Sequence, residues 1–461
     1  MAAGICLVVS TSDAAEVSGR SLAGQTVVTT RSGVEIKREE RVVLRCEVGC
    51  PLVVTEDDGS RLRCKYGWFD EREVVPIDES VRFFTTRIDA DPSAEHYYQR
   101  ARVYFWQDQT DHALLDISKC LARQPAHAKG IALRGNCWIA RERWQQAIED
   151  LSAAIEIDPQ EPRFYVARAT AYSNMGDDKP ALSNFDAALR CDPDFMPARL
   201  ARAMCLHNLR RLPEAIDDLT SYVQHFPDDP KGFGTRAICY AAVNESDMAA
   251  KDLSSCIRLE PDNARHYSER GMAFAVGEQY PSAISDFRTA LRLSPGNAKL
   301  HYYLGSVLIK NAEGDAGLAE LDNALKLSSD LADAYLMRAM FWLERKDYRK
   351  ALADASLAAE KAPETARSHF LRATILACSS DTAIRNGPQA VLAAERACQL
   401  TDYRDAECLQ SLAAGHAEAG NFDQAIRWQK KAVEVNKNED EKQGFTEALR
   451  LFEQKKPLRV E

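Results

Sequence analysis

Residues 128–161 read AKGIALRGNCWIARERWQQAIEDLSAAIEIDPQE. Apolar positions recur three and four apart on each side of a break near Glu142, which is the spacing of two short amphipathic helices. Pro159 ends the second helix, because proline has no amide hydrogen and disfavours helix in the residue before it. The same pattern then returns along the chain. Pro125, Pro159, Pro193, Pro227, Pro261, Pro295 and Pro363 keep a 34-residue period, with Ser329 in the one vacant slot. Counting repeats from Ala94, position 8 is always small: Ala101, Gly135, Ala169, Ala203, Ala237, Gly271, Gly305, Ala339 and Ala373. Position 20 is alanine or Gly317 through eight repeats, whereas position 24 is large: Ile117, Leu151, Phe185, Leu219, Leu253, Phe287 and Leu321. Small residues let two helix axes approach, and the large ones fill the remaining volume.

This register resembles the tetratricopeptide repeat family over about three quarters of the chain. The fold class expected is mostly α, a solenoid of helical hairpins over 94–438 with about ten repeats, preceded by a small all-β barrel at 22–78. A ninth repeat from Ala366 carries an insertion, Ser379 to Pro388, after which Ala390 takes up position 20. A tenth begins near Ala406. Residues 439–461 hold a last amphipathic helix, Glu439 to Gln454, with Phe445, Ala448, Leu449, Leu451 and Phe452 on one face, expected to cap the stack.

The chain has 461 residues, 69 acidic and 59 basic, and a net charge of -10. That balance argues against binding nucleic acid through its phosphates, and no apolar run is long enough to form an integral membrane segment. Position 7 is arginine in Arg100, Arg134, Arg168, Arg202, Arg236, Arg270, Arg338 and Arg372, with Leu304 the exception. Position 23 is Asp116, Asp150, Asp218, Asp252, Asp286 and Asp354, with Asn184 and Glu320 as variants. Antiparallel helices bring these columns together, and repetition in every hairpin fits a structural ion pair rather than a catalytic array.

Most of the 13 cysteines, such as Cys137, Cys205 and Cys239 at position 10, occupy core slots as small apolar groups. Cys46, Cys50 and Cys64 lack a nearby histidine, so structural thiols are expected there and no metal. The nine histidines form no H-E-x-x-H, and no nucleophile or phosphate-loop motif occurs. No cofactor and no enzymatic activity are expected.

Residues 22–78 change texture. Thr26–Thr30, Val42–Cys46, Leu52–Thr55 and Arg61–Lys65 are β-branched runs separated by Arg31-Ser32-Gly33 and Asp57-Asp58-Gly59. The Gly67-Trp68 pair followed by Val74-Val75-Pro76 is similar to bacterial Src-homology-3-like barrels, a resemblance that implies binding of peptides or cell-wall material. Residues 1–20 are apolar from Ala2 to Ser10 and then carry Ser12-Asp13-Ala14-Ala15, suited to signal cleavage but without a basic segment before it. They read as the remnant of a signal peptide, placing the protein in the periplasm or envelope, or as a tail on a cytoplasmic protein. The small-x-small sequence tips the reading toward export, and 13 cysteines pull the other way.

The function expected is a scaffold that binds protein or peptide segments on the concave face formed by the first helices. The alternative is an envelope adaptor whose barrel docks to a wall polymer while the repeats recruit an enzyme. Position 2 supplies cations, Lys129, Arg163, Lys231, Arg265, Lys299 and Arg367, where they oppose the helix macrodipole. Acids of the preceding repeat, such as Glu161 or Asp262, offer one explanation, and an acidic partner the other. Positions 5 and 9 supply apolar contact: Val166, Leu200, Tyr302, Leu336 and Phe370, then Met204, Ile238, Met272 and Met340. The family's clamp for carboxyl termini, lysine at position 5 with asparagine at position 9, is not reproduced, since Asn136 faces Ala132.

Overall fold

The computed structural model describes residues 22–30, 33–38, 41–46, 50–58, 60–64, 67–438 and 441–459. Residues 1–20, with the expected signal remnant or tail, lie outside them. The chain divides into two compact bodies, one up to Pro261 and one from Asp262.

The first body opens with eight strands, β1 Thr26–Thr29, β2 Val34–Arg38, β3 Arg41–Cys46, β4 Pro51–Val53, β5 Glu56–Asp57, β6 Arg61–Cys64, β7 Gly67–Asp70 and β8 Val74–Pro76. They form two antiparallel sheets, β4-β1-β8 and β3-β2-β7-β6-β5. The expected closed barrel is therefore corrected: among the described residues, the chain leaves one sheet at Val54 and Thr55 and enters the other at β5. Burial alternates along β2 and β6, with Val34, Ile36 and Leu62 fully buried, whereas β1 buries the adjacent Val27 and Val28, and Leu52 and Val74 are fully buried as well.

Helix α1, Ile77–Ala90, was not legible as an element of either module. It buries Ser80, Phe84 and Ile88. Arg87 Nη1 donates to Thr30 O at 3.1 Å, and Gln107, the residue just past the next helix, donates to Ile77 O at 2.7 Å. It thus joins the β region to the first repeat.

Repeats 1–5 follow as α2 Ala94–Trp106, α3 Thr110–Arg123, α4 Ala128–Ala140, α5 Trp144–Ile157, α6 Pro162–Asn174, α7 Asp178–Cys191, α8 Met196–Asn208, α9 Leu212–His225, α10 Pro230–Ala242 and α11 Ser246–Leu259. The second body continues with α12 Ala264–Val276, α13 Tyr280–Leu293, α14 Ala298–Lys310, α15 Gly314–Leu327, α16 Ala332–Glu344, α17 Tyr348–Lys361, α18 Ala366–Cys378, α19 Gly387–Leu400, α20 Ala406–Glu418, α21 Phe422–Val435 and α22 Lys442–Glu453. Each body is thus a tetratricopeptide-type run of helical hairpins. No described helix is long and apolar enough to cross a membrane.

Packing explains the small columns. A Cβ on Gly135 would lie 2.8 Å from Leu151 Cγ, and one on Gly305 would lie 2.8 Å from Gly317 O. Position 24 is sealed, with Ile117, Leu151, Leu219 and Leu321 fully buried. Tight turns within the hairpins need a left-handed residue at position 15: Asp108, Glu142, Gly176, Arg210, Asn244, Glu278, Ala312, Lys346 and Gly420 all have φ between 49° and 83°. The insertion replaces that turn in repeat 9, where residues 379–386 connect α18 to α19. Arg385 and Arg459 both pair with Glu418, at 2.9 and 2.6 Å, and so hold the inserted loop and the chain end to α20. On α22, Phe445, Ala448 and Phe452 are buried as the apolar face required, while the expected start at Glu439 is outside the described residues.

Candidate binding faces and the arginine seams

In a helix 100° separates successive residues, so positions 2, 5 and 9 share one side of each first helix and positions 4 and 7 the opposite side. The second side is a seam against the partner helix. Arg100 meets Asp116 through Nε and Nη2 at 2.6 and 2.9 Å. The same bidentate geometry joins Arg134 to Asp150, Arg202 to Asp218, Arg236 to Asp252, Arg270 to Asp286 and Arg338 to Asp354, while Arg168 meets the neutral Asn184 at 2.8 Å. The paired carboxylate raises the pKa of each of these guanidinium groups.

A third helix joins five of these seams, those of Arg100, Arg168, Arg202, Arg236 and Arg338, which the sequence reading missed. Nη1 reaches back to the second helix of the preceding repeat, to Ser152 from Arg168, Asp186 from Arg202, Thr220 from Arg236 and Asp322 from Arg338. For Arg100, Thr85 of α1 takes that place. The signal was present as a polar residue 16 positions before Arg168, Arg202, Arg236 and Arg338, and 15 before Arg100. Position 4 was missed too: Tyr165, Arg199, His301 and His369 contact the backbone carbonyls of Pro159, Pro193, Pro295 and Pro363 respectively, each six residues before.

The candidate binding residues separate by accessibility. In the first body Met204 and Ile238 are 53% and 46% exposed, Val166 is half-buried and Leu200 is buried. In the second, Met272 is 37% exposed, Tyr302, Met340 and Phe370 are half-buried, and Leu336 is buried. Leu200 and Leu336 therefore serve packing rather than contact. Burial raises the Tyr302 hydroxyl's pKa, with Asp333 adding to the shift and Arg367 opposing it. Arg367 Nη2 lies 3.6 Å from Met340 Sδ, so Tyr302, Met340 and Arg367 are brought together from three successive repeats.

The cations divide as well. Arg163 pairs with Glu161 at 2.7 Å, as the local explanation required, but Arg265 pairs with Glu269 on its own helix rather than with Asp262. Lys129 lies close enough to Glu95 to help lower the pKa of that carboxyl. Among the described residues, Lys231, Lys299 and Arg367 enter no ion pair. A side chain caps the helix starts at two of them, Asp229 accepting from Lys231 N at 3.1 Å and Asn297 from Lys299 N at 3.0 Å, whereas Thr365 makes no cap bond at the helix of Arg367.

Among the described residues no group of three or more histidine, cysteine or acidic side chains is placed to hold a metal ion. The Cys46 thiol, hydrogen-bonded to Cys50 and buried, is pushed far above its ordinary range. Trp68, half-buried in β7, has the guanidinium groups of Arg61 and Arg63 over its ring at 5.3 and 5.9 Å.

Residues 166–230 and 236–298 match the tetratricopeptide repeat family. Among solved structures, yeast Tom70 is similar at 15% identity and a TM-score of 0.47, covering 82% of this chain and 92% of that one. A tetratricopeptide repeat protein from Parabacteroides merdae is similar at 15% identity and a TM-score of 0.44, covering 54% of this chain and 98% of its own. YrrB, a tetratricopeptide protein with an unusual peptide-binding site, is similar at 20% identity and a TM-score of 0.37, covering 40% and 95%. No curated protein matches the sequence.

Proposed function

We propose that the protein is a non-enzymatic scaffold whose first helices bind an acidic, partly apolar peptide segment of a partner protein. The observation that carries this reading is that, in each body, the same side of the first helices carries cations without ion pairs and large apolar groups left in water: Lys231 with Met204 and Ile238 in the first, Lys299 and Arg367 with Met272 in the second. A segment with alternating carboxylates and apolar side chains satisfies both. Attraction between exposed charges is screened by salt and acts mainly on encounter.

The test is binding of a library of acidic, leucine-containing peptides to the full chain. Reversing Lys231, Arg265 and Lys299 to Glu lowers the on-rate, with Arg265 contributing least because Glu269 already holds it. Adding Arg367→Glu deepens the loss. Binding that ignores salt and survives these reversals returns the strip to plain surface chemistry. The Src-homology-3-like reading of the β region supports a second arrangement, in which Trp68 docks to a wall polymer. Arg61 and Arg63 already cover that ring, which favours the scaffold. Retention on cell-wall material that Trp68→Ala abolishes is the outcome that favours the adaptor.

A further inference from the structure

Among repeats 1–9 the seams lose one partner altogether in repeats 7 and 9, whereas repeat 3 keeps the neutral Asn184, and the two losses differ. In repeat 7 the arginine is absent, Leu304 standing in its place, and the spare carboxylate of Glu320 takes His301 Nδ1 at 2.6 Å. In repeat 9 the arginine is present and the acid is absent. The insertion starts α19 five residues late, so position 23 falls on Ala393, which is buried at 4% exposure. Arg372 Nε is buried with no hydrogen-bond partner, and among the described residues the Arg372 side chain makes no hydrogen bond or ion pair. A cleft of about 220 Å³ opens beside it, lined by His369, Arg372, Gln389, Leu392, Ala393 and Arg396. No acid lines that cleft. The nearest compensation is outside the lining, where Glu364 pairs with Arg396 at 2.7 Å and is itself 77% exposed. His369 turns Nε2 to the Pro363 carbonyl at 2.9 Å.

We propose that the cleft between α18 and α19 is a binding site for a carboxylate group, which enters from the cleft and gives the Arg372 guanidinium the counter-charge that the position-23 acid gives its siblings. Six sibling arginines show the geometry that the guanidinium adopts when an acid is supplied, and the space left by the short Ala393 side chain is where that acid would lie. Gln389 and Arg396 add donors around it. The site is on the opposite side of α18 from Arg367 and Phe370, so it is separate from the proposed peptide face and does not rest on it. A free small acid and a glutamate side chain of a partner share this chemistry.

The test uses the full chain with acetate, succinate, the peptide Ac-Ala-Glu-Ala-NH2 and its Gln counterpart as probes, against chloride at matched ionic strength. The expected result is a shift of the Arg372 Nε–H resonance and a rise in melting temperature with carboxylates, at dissociation constants on the order of millimolar, and none with chloride or the Gln peptide. Succinate acting well below the peptide concentration identifies a free acid as the ligand, and the reverse identifies a side chain. Ala393→Asp supplies an internal partner, so it raises the melting temperature and weakens the probe response about tenfold or more. Arg372→Met abolishes the response while leaving the melting temperature near that of the parent, since no internal pair is broken. A wild-type chain silent to every carboxylate, or a response undiminished in Arg372→Met, overturns the proposal.

Discussion

A single arginine shows how much a side chain's partner decides. Arg236 and Asp252 are 14% and 6% exposed, so Arg236→Met leaves a buried carboxylate without its counter-charge and costs about 3 kcal/mol. Arg168→Met leaves only the neutral Asn184 and Ser152 without a donor and costs about 1 kcal/mol. Urea denaturation of the two variants measures the difference, and equal losses would mean that charge is irrelevant to the seams. Neither change alters peptide affinity beyond what unfolding explains. The pairing itself was legible because positions 7 and 23 lie equally far from the turn. The reach back to the preceding repeat was not, because it depends on how neighbouring hairpins stack. His416 gives a second case. Burial lowers its pKa below the ordinary value, with Glu395 opposing, and its Nδ1 is buried without a partner. The folded chain therefore favours neutral His416, and this stability is complete above about pH 6.5 and declines as pH falls through the folded-state pKa. His416→Gln removes that decline, so its melting temperature depends less on pH below 6.5 than that of the parent; identical pH profiles would refute the assignment.

At the scale of the element, the turns and crossings carry opposite demands. Position 15 is left-handed in nine repeats, yet only Gly176 and Gly420 are glycines among them. Ala312 at φ 63° bears the strain of its Cβ, and Ala312→Gly relieves it, stabilising the protein by about 1 kcal/mol after the entropy of the freer unfolded chain is subtracted. Gly305→Ala runs the other way. Its Cβ would meet Gly317 O at 2.8 Å, so α14 and α15 must part, at roughly 2 kcal/mol. Thermal unfolding checks both signs. Hairpin elements were legible down to the turn because a helix announces itself by period. The β region was less so: strand β2 escaped notice because Val34–Arg38 holds only two apolar residues, and the division into two sheets depends on where the chain crosses between them, as at the bend of Thr55, which no composition reveals. Helix α1 escaped because it lies before the register begins.

For the whole molecule, the thiols report how closed the repeats are. Burial pushes Cys137, Cys378 and Cys398 up to about 12 and Cys205 and Cys239 up to about 11, which keeps them protonated and unreactive at neutral pH. Cys50 and Cys191 are only half-buried. Among the described cysteines these two react first with an aromatic disulfide reagent, and the remainder follow only as the chain unfolds; rapid labelling of Cys120 or Cys239 in the native state would contradict this. The faces offered to partners were legible as columns, but which columns stay open was not, because Leu200 and Met204 differ in exposure through packing alone. The three-helix seams have one more consequence. Arg202 holds Asp186 behind it and Asp218 ahead, and Arg338 holds Asp322 and Asp354 in the same way, so each arginine works as a ruler laid across two connectors. Adding a residue to either connector pulls one acid off the ruler. The gene can lengthen freely by copying a whole repeat, which carries its ruler with it, but residue-by-residue growth is tolerated where a ruler has already lost its mark. Repeat 9, with its Ala393 and its long connector at 379–386, is such a place: the connector has grown where no acid had to be kept in register, and Arg385 on Glu418 now fixes the longer loop.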